Sequence, residues 1–77
     1  MPQASKELSD KMLEYFGDPI SDTGPTHYLL KQGYTLTRRW TWVNPRLKSL
    51  EDITEKERDC IIFMMEEGDY DGVEILN

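Results

Sequence analysis

The chain has 77 residues, a formal net charge of −6, and 38% hydrophobic against 31% charged residues. Those proportions suit one small globular domain over 1–77 and are too apolar for wholesale disorder. No apolar run approaches the roughly 20 residues needed to span a bilayer, and MPQASKELSDKM lacks the apolar stretch of a signal peptide, so a cytoplasmic location is expected. One cysteine, Cys60, and one histidine, His27, exclude an internal disulfide and leave too few ligands for an ordinary zinc site.

Ser5 is placed to cap a first helix that runs to Phe16 and stops at Gly17, with Asp18-Pro19 beyond. Leu8, Met12, Tyr15 and Phe16 form its apolar stripe, and Glu7 with Lys11 makes a favourable pair on the solvated side. The link DPISDTG is turn chemistry. Pro25 opens a short second helix, PTHYLLKQ, closed by Gly33, with Tyr28, Leu29 and Leu30 on its buried side and His27 in its first turn.

From Tyr34 the apolar period changes to two, which predicts a strand over 34–43 ended by Asn44-Pro45. Alternation puts Tyr34, Leu36, Arg38, Trp40 and Trp42 on one face and Thr35, Thr37, Arg39, Thr41 and Val43 on the other. Both indoles are therefore expected in the core, with Arg38 stacked on one or reaching out at the edge. Arg39 is expected on the solvated threonine face. A connector carrying Leu47, Leu50 and Ile53 follows.

Thr54-Glu55-Lys56-Glu57 reads as a capping box, opening a third helix that ends at Gly68. Inside it, Cys60 to Met65 are six consecutive apolar residues, which at about 100° per residue wrap the whole circumference. Ile62, Phe63 or Met65 is accordingly expected at a homodimer or partner interface. The tail predicts an Asp-Gly turn and a short strand, Val73 to Leu76, paired with 34–43. DYDG imitates part of a calcium loop, but the glutamate due at its twelfth position would lie beyond Asn77. The expected fold is α+β, three helices on one face of a small antiparallel sheet.

No phosphate loop, nucleophile elbow or paired general base is present, so neither catalysis nor a cofactor is expected. An enzyme would require a pocket gathering His27 with carboxylates. Charge is segregated: residues 1–30 carry −3, residues 31–50 carry +5 and residues 51–77 carry −8. The basic segment supplies Lys31, Arg38, Arg39, Arg46 and Lys48 as candidate partner-binding residues, and the acidic end supplies Glu66, Glu67, Asp69, Asp71 and Glu74. A net negative chain repels phosphates at long range, so protein ranks ahead of nucleic acid as the partner. Two rivals stand beside protein binding: a nucleic-acid module built on the basic segment, and a DNA mimic built on the acidic end.

The series YLLKQGYTLTRRWTWVNP followed by ITEKERDCIIFMMEEGDYDG resembles small acidic proteins encoded by phages and prophages. They share a helix closing in Gly-Tyr, a Thr- and Trp-rich strand, a capped apolar helix and an acidic Asp-Gly close. The resemblance covers residues 25–72 and carries no catalytic residue and no established activity. It implies a phage accessory protein in the host cytoplasm that modulates a host protein, as small acidic phage proteins often do, some of them by presenting DNA-like negative charge.

Overall fold

The structure, a computed structural model, describes residues 5–17, 24–68 and 70–76; Asp69 and most of the expected turn after Gly17 lie outside them. Helix α1 is Lys6–Phe16, α2 is Pro25–Lys31 and α3 is Glu55–Glu66. The strands are β1, Thr35–Leu36, β2, Thr41–Val43, and β3, Gly72–Glu74; a one-turn 3-10 helix, Leu50–Asp52, precedes α3. The fold is α+β, as expected.

The helix starts obey local chemistry. Ser5 Oγ accepts from the Leu8 amide at 3.2 Å. Thr54 Oγ1 accepts from the Glu57 amide at 3.2 Å while Glu57 Oε2 accepts from the Thr54 amide at 3.3 Å, completing the capping box. A second capping box, Ser49 with Asp52, opens the 3-10 turn. The amides of Lys48 and Ser49 donate to the Asp52 carboxylate at 2.8 and 3.1 Å and hold its pKa below the usual carboxylate range.

Two sheet expectations are corrected. Residues 34–43 form a hairpin: β1 and β2 pair antiparallel with Thr35 opposite Val43 and Leu36 opposite Trp42, around a tip of Arg38, Arg39 and Trp40. The Thr37 amide donates to the Thr41 carbonyl at 2.9 Å and the Trp40 amide to the Thr37 carbonyl at 3.0 Å, closing the reversal. Thr37 Oγ1 also accepts from the amides of Arg39 and Thr41. One threonine thus supplies the turn chemistry normally announced by Gly or Asn.

The second correction is that the sheet is mixed, in the order β1-β2-β3, because β2 and β3 run parallel with Trp42 opposite Val73. A parallel pair needs a crossover connection of a dozen or more residues, and the segment containing α3 is that crossover. Helix α3 accordingly touches α1, α2 and β3, and it crosses close to the strand it feeds. A side chain at Gly72 would meet the Met65 sulfur at 3.5 Å, and Gly72 itself sits at φ 130.

The core gathers Met12, Leu29, Tyr34, Trp42, Leu47, Cys60 and Ile61. Trp42 is fully buried, edge-on to Tyr34 at 6.4 Å and tilted against Tyr70 at 5.2 Å. Its Nε1–H reaches no acceptor among the described residues. Cys60 is buried and free, and burial pushes its thiol up to about 12, so it behaves as a small hydrophobe.

Candidate protein-interaction surface

The hairpin splits the expected basic segment in two. Arg38 and Arg39 stand exposed at the tip, whereas Lys31, Arg46 and Lys48 lie around the opposite, open end. There the Asn44 amide group donates to the Gln32 carbonyl at 3.0 Å and ties the end of α2 to the end of β2. With about 3.4 Å per residue along a strand, the two groups stand roughly 10 Å or more apart.

Arg46 is engaged within its own chain. Its Nη2 donates to both oxygens of Glu57 at 3.0 Å, and its Nη1 donates to the Asp52 carbonyl at 3.3 Å. Glu57 is only 2% exposed, and its Oε2 also accepts from the Tyr34 hydroxyl at 3.0 Å. Burial and that bond raise the Tyr34 pKa far above its ordinary value. The N3 glutamate of the capping box is thus a buried hub joining α3 to the residue that leads into β1 and to the segment after β2. Sequence spacing revealed its capping role and missed the other two bonds.

The tip differs. Arg38 and Arg39 form no ion pair among the described residues, in contrast to Lys11, which pairs with Asp59, and Arg46, which pairs with Glu57. Trp40, expected in the core beside Trp42, is instead 59% exposed. The reversal at Thr37 breaks the alternation on which that expectation rested. Trp40 takes φ 62, alone among non-glycine residues with positive φ in the described chain. A left-handed residue closing a three-residue hairpin tip is ordinarily glycine, and a bulky side chain there carries strain of about 1–3 kcal/mol. The Asp71 amide holds it by donating to the Trp40 carbonyl at 2.8 Å, and Tyr70 lies against the indole at 6.0 Å between ring centres. The segment leading into β3 thus clamps Trp40 in place, with most of its indole in solvent.

The expected acidic residues lie at the end of α3 and along the segment of β3. Glu66 accepts from the Ser5 amide at 3.0 Å, Glu67, Asp71 and Glu74 are exposed, and Asp69 lies outside the described residues. On α3, Cys60, Ile61 and Met64 are buried and Phe63 half-buried, so the monomer covers most of the apolar helix; Ile62 and Met65 remain 37% and 44% exposed. His27 is exposed on α2.

Two further constellations had no sequence signal. The Lys56 ammonium sits over three rings, 4.5 Å from Tyr28, 5.0 Å from Phe16 and 5.4 Å from Tyr15, in a cation–π cage joining all three helices. Beside it, the Tyr15 hydroxyl donates to Asp59 at 2.8 Å, a bond that holds its pKa up to about 12. An apolar cleft of about 390 Å³ lies among Met12, Leu13, Phe16, Pro25 and Phe63.

These features define a small α+β domain that displays a basic, aromatic hairpin tip and in which no helix among the described residues is long and apolar enough to cross a membrane. The chain belongs to the family described as Phage Pam3 gp59 related protein, whose model matches residues 1–75. The phage resemblance seen in the sequence is thereby established, over more of the chain than the residues that first suggested it. Searches of curated proteins and of solved structures return no match.

Proposed function

We propose that this protein is a non-enzymatic phage accessory protein that binds a host protein through the Arg38-Arg39-Trp40 hairpin tip. The observation that carries this reading is Trp40. It holds a strained left-handed conformation, contributes little to the core, and keeps 59% of its surface in solvent. Strain of this kind clusters at binding sites, and Trp and Arg are the residue types most enriched in interface hot spots. The test is crosslinking capture from host lysate with the wild-type chain and with Trp40→Gly. Prey retained by the wild type and lost by the variant supports the reading; capture of nothing beyond background by the wild type rejects it.

A second reading, self-association across α3, has the exposed Ile62 and Met65 in its favour. Light scattering on a size-exclusion column tests it. A dimer that Ile62→Glu converts to monomer is the expected result, and a wild-type monomer at high micromolar concentration removes it.

A further inference from the structure

We infer that the hairpin tip is built for an acidic protein surface carrying an apolar recess, the guanidinium groups of Arg38 and Arg39 taking carboxylates while the Trp40 indole enters the recess. The inference rests on the proposed protein-binding function and names the chemistry of the partner.

Three observations converge. First, the chain carries 15 acidic residues, yet neither tip arginine forms an ion pair among the described residues. Asp71 lies nearest along the sheet, joined to the tip through its backbone amide, and its carboxylate pairs with neither guanidinium. Two planar cations are therefore available for bidentate contacts with carboxylates of another molecule.

Second, the backbone is pinned. Thr37 Oγ1 bonds both flanking amides, and the Asp71 amide fixes the Trp40 carbonyl. A tip ordered before binding loses less freedom on association. The hairpin would close more comfortably with glycine at position 40, so the indole is not required by the turn.

Third, the charge layout opposes a phosphate backbone as the target. A duplex reader needs several cations along one surface, but the hairpin holds Lys31, Arg46 and Lys48 at its far end, and Arg46 is paired with the buried Glu57. Only two positive charges remain at the tip of a chain with net charge −6, so long-range repulsion works against polyanions and anionic bilayers alike. A folded acidic patch presents few charges, fixed in space, with apolar surface between them, and it matches two guanidiniums around one indole.

Tryptophan emission provides the measurement, because Trp42 is buried and Trp40 alone answers to solvent or ligand. The full chain is titrated at low salt with a short Glu/Leu peptide, the matching Lys/Leu peptide, a double-stranded oligonucleotide, and vesicles of phosphatidylcholine with phosphatidylserine. The expected result is a blue shift and loss of iodide quenching with the Glu/Leu peptide only. Its affinity, read for every variant from the anisotropy of a fluorescein-labelled copy of the peptide, should fall about tenfold or more in Arg38→Ala/Arg39→Ala and in Trp40→Gly, and should weaken with added salt. Cooperative thermal unfolding of these variants, with melting temperatures within about 8 °C of the wild type's, verifies that they fold. Equal binding by the variants, or no response to the Glu/Leu peptide, overturns the inference. Tighter, tip-dependent binding to the oligonucleotide or the vesicles overturns it in favour of that ligand. Host-protein capture that depends on Trp40 in a chain blind to the Glu/Leu peptide would leave the protein-binding function standing and remove only the acidic partner.

Discussion

Replacing Glu57 by alanine should cost more stability than any surface change in the molecule. The carboxylate is 2% exposed and accepts from the Tyr34 hydroxyl, the Thr54 amide and Arg46 Nη2. Removing it strands the Tyr34 hydroxyl, which is itself buried; an orphaned buried donor costs about 1–3 kcal/mol. Loss of the reciprocal half of the capping box adds about 0.5–1 kcal/mol. The Arg46 side chain is 47% exposed and can turn to water, so its release adds only about 1 kcal/mol, near the upper end for exposed pairs. These contributions sum to roughly 2.5–5 kcal/mol, a large share of the 5–15 kcal/mol typical of a domain.

Glu57→Gln separates the contributions. It keeps an acceptor for Tyr34 and Thr54 but turns an amide N–H toward Arg46, and should cost about 1–2 kcal/mol. Urea unfolding followed by the buried Trp42 reads both variants, with Arg46→Ala and the double variant closing a thermodynamic cycle. A Glu57→Ala loss below about 1 kcal/mol would refute the hub. So would a Glu57→Gln loss equal to that of alanine.

Trp40→Gly should change stability by no more than about 1 kcal/mol, because relief of the left-handed strain offsets the lost Tyr70 contact and the added chain entropy. A loss of the 3–5 kcal/mol typical of a buried tryptophan would put the indole back in the core. Thermal melts above neutral pH should show stability falling from about pH 9 to about 12. Burial holds the Cys60 thiol protonated in the folded chain while the unfolded thiol ionises, so the folded state binds more protons and loses ground as pH rises. Cys60→Ala should remove the earliest part of that fall and leave the part above pH 10, where the Tyr15 hydroxyl is held protonated to about 12; an unchanged profile would refute it. Lys56→Met keeps the aliphatic stem but deletes the charge from its aromatic cage, and should cost about 0.5–2 kcal/mol in denaturant unfolding. No loss would mean the three rings pack equally well without the ammonium.

What the sequence determined by itself was whatever is fixed within three or four residues. Ser5 and Thr54 satisfy amides one turn ahead, Pro25 presets a helical φ, and Gly17 and Gly68 accept positive φ, so the bounds of α1 and α3 were readable before any tertiary contact. The α+β class followed from the change of apolar period at Tyr34. Tertiary structure decided what depends on distant partners. Alternation over 34–43 predicts one strand; the local Thr37 bonds to the Arg39 and Thr41 amides close a reversal instead, and the distant Asp71 amide, bonded to the Trp40 carbonyl, fixes Trp40 outward while Trp42 pairs with β3 and stays in. The direction of β3 was likewise set at a distance, because α3 carries the chain back across the sheet and delivers the strand parallel to β2. Counting charges in 31–50 suggested one basic surface. The fold divided it, since Glu57, placed by its capping box beside Tyr34, drew Arg46 into an internal pair and left Arg38 and Arg39 at the far end of the hairpin without a carboxylate among the described residues.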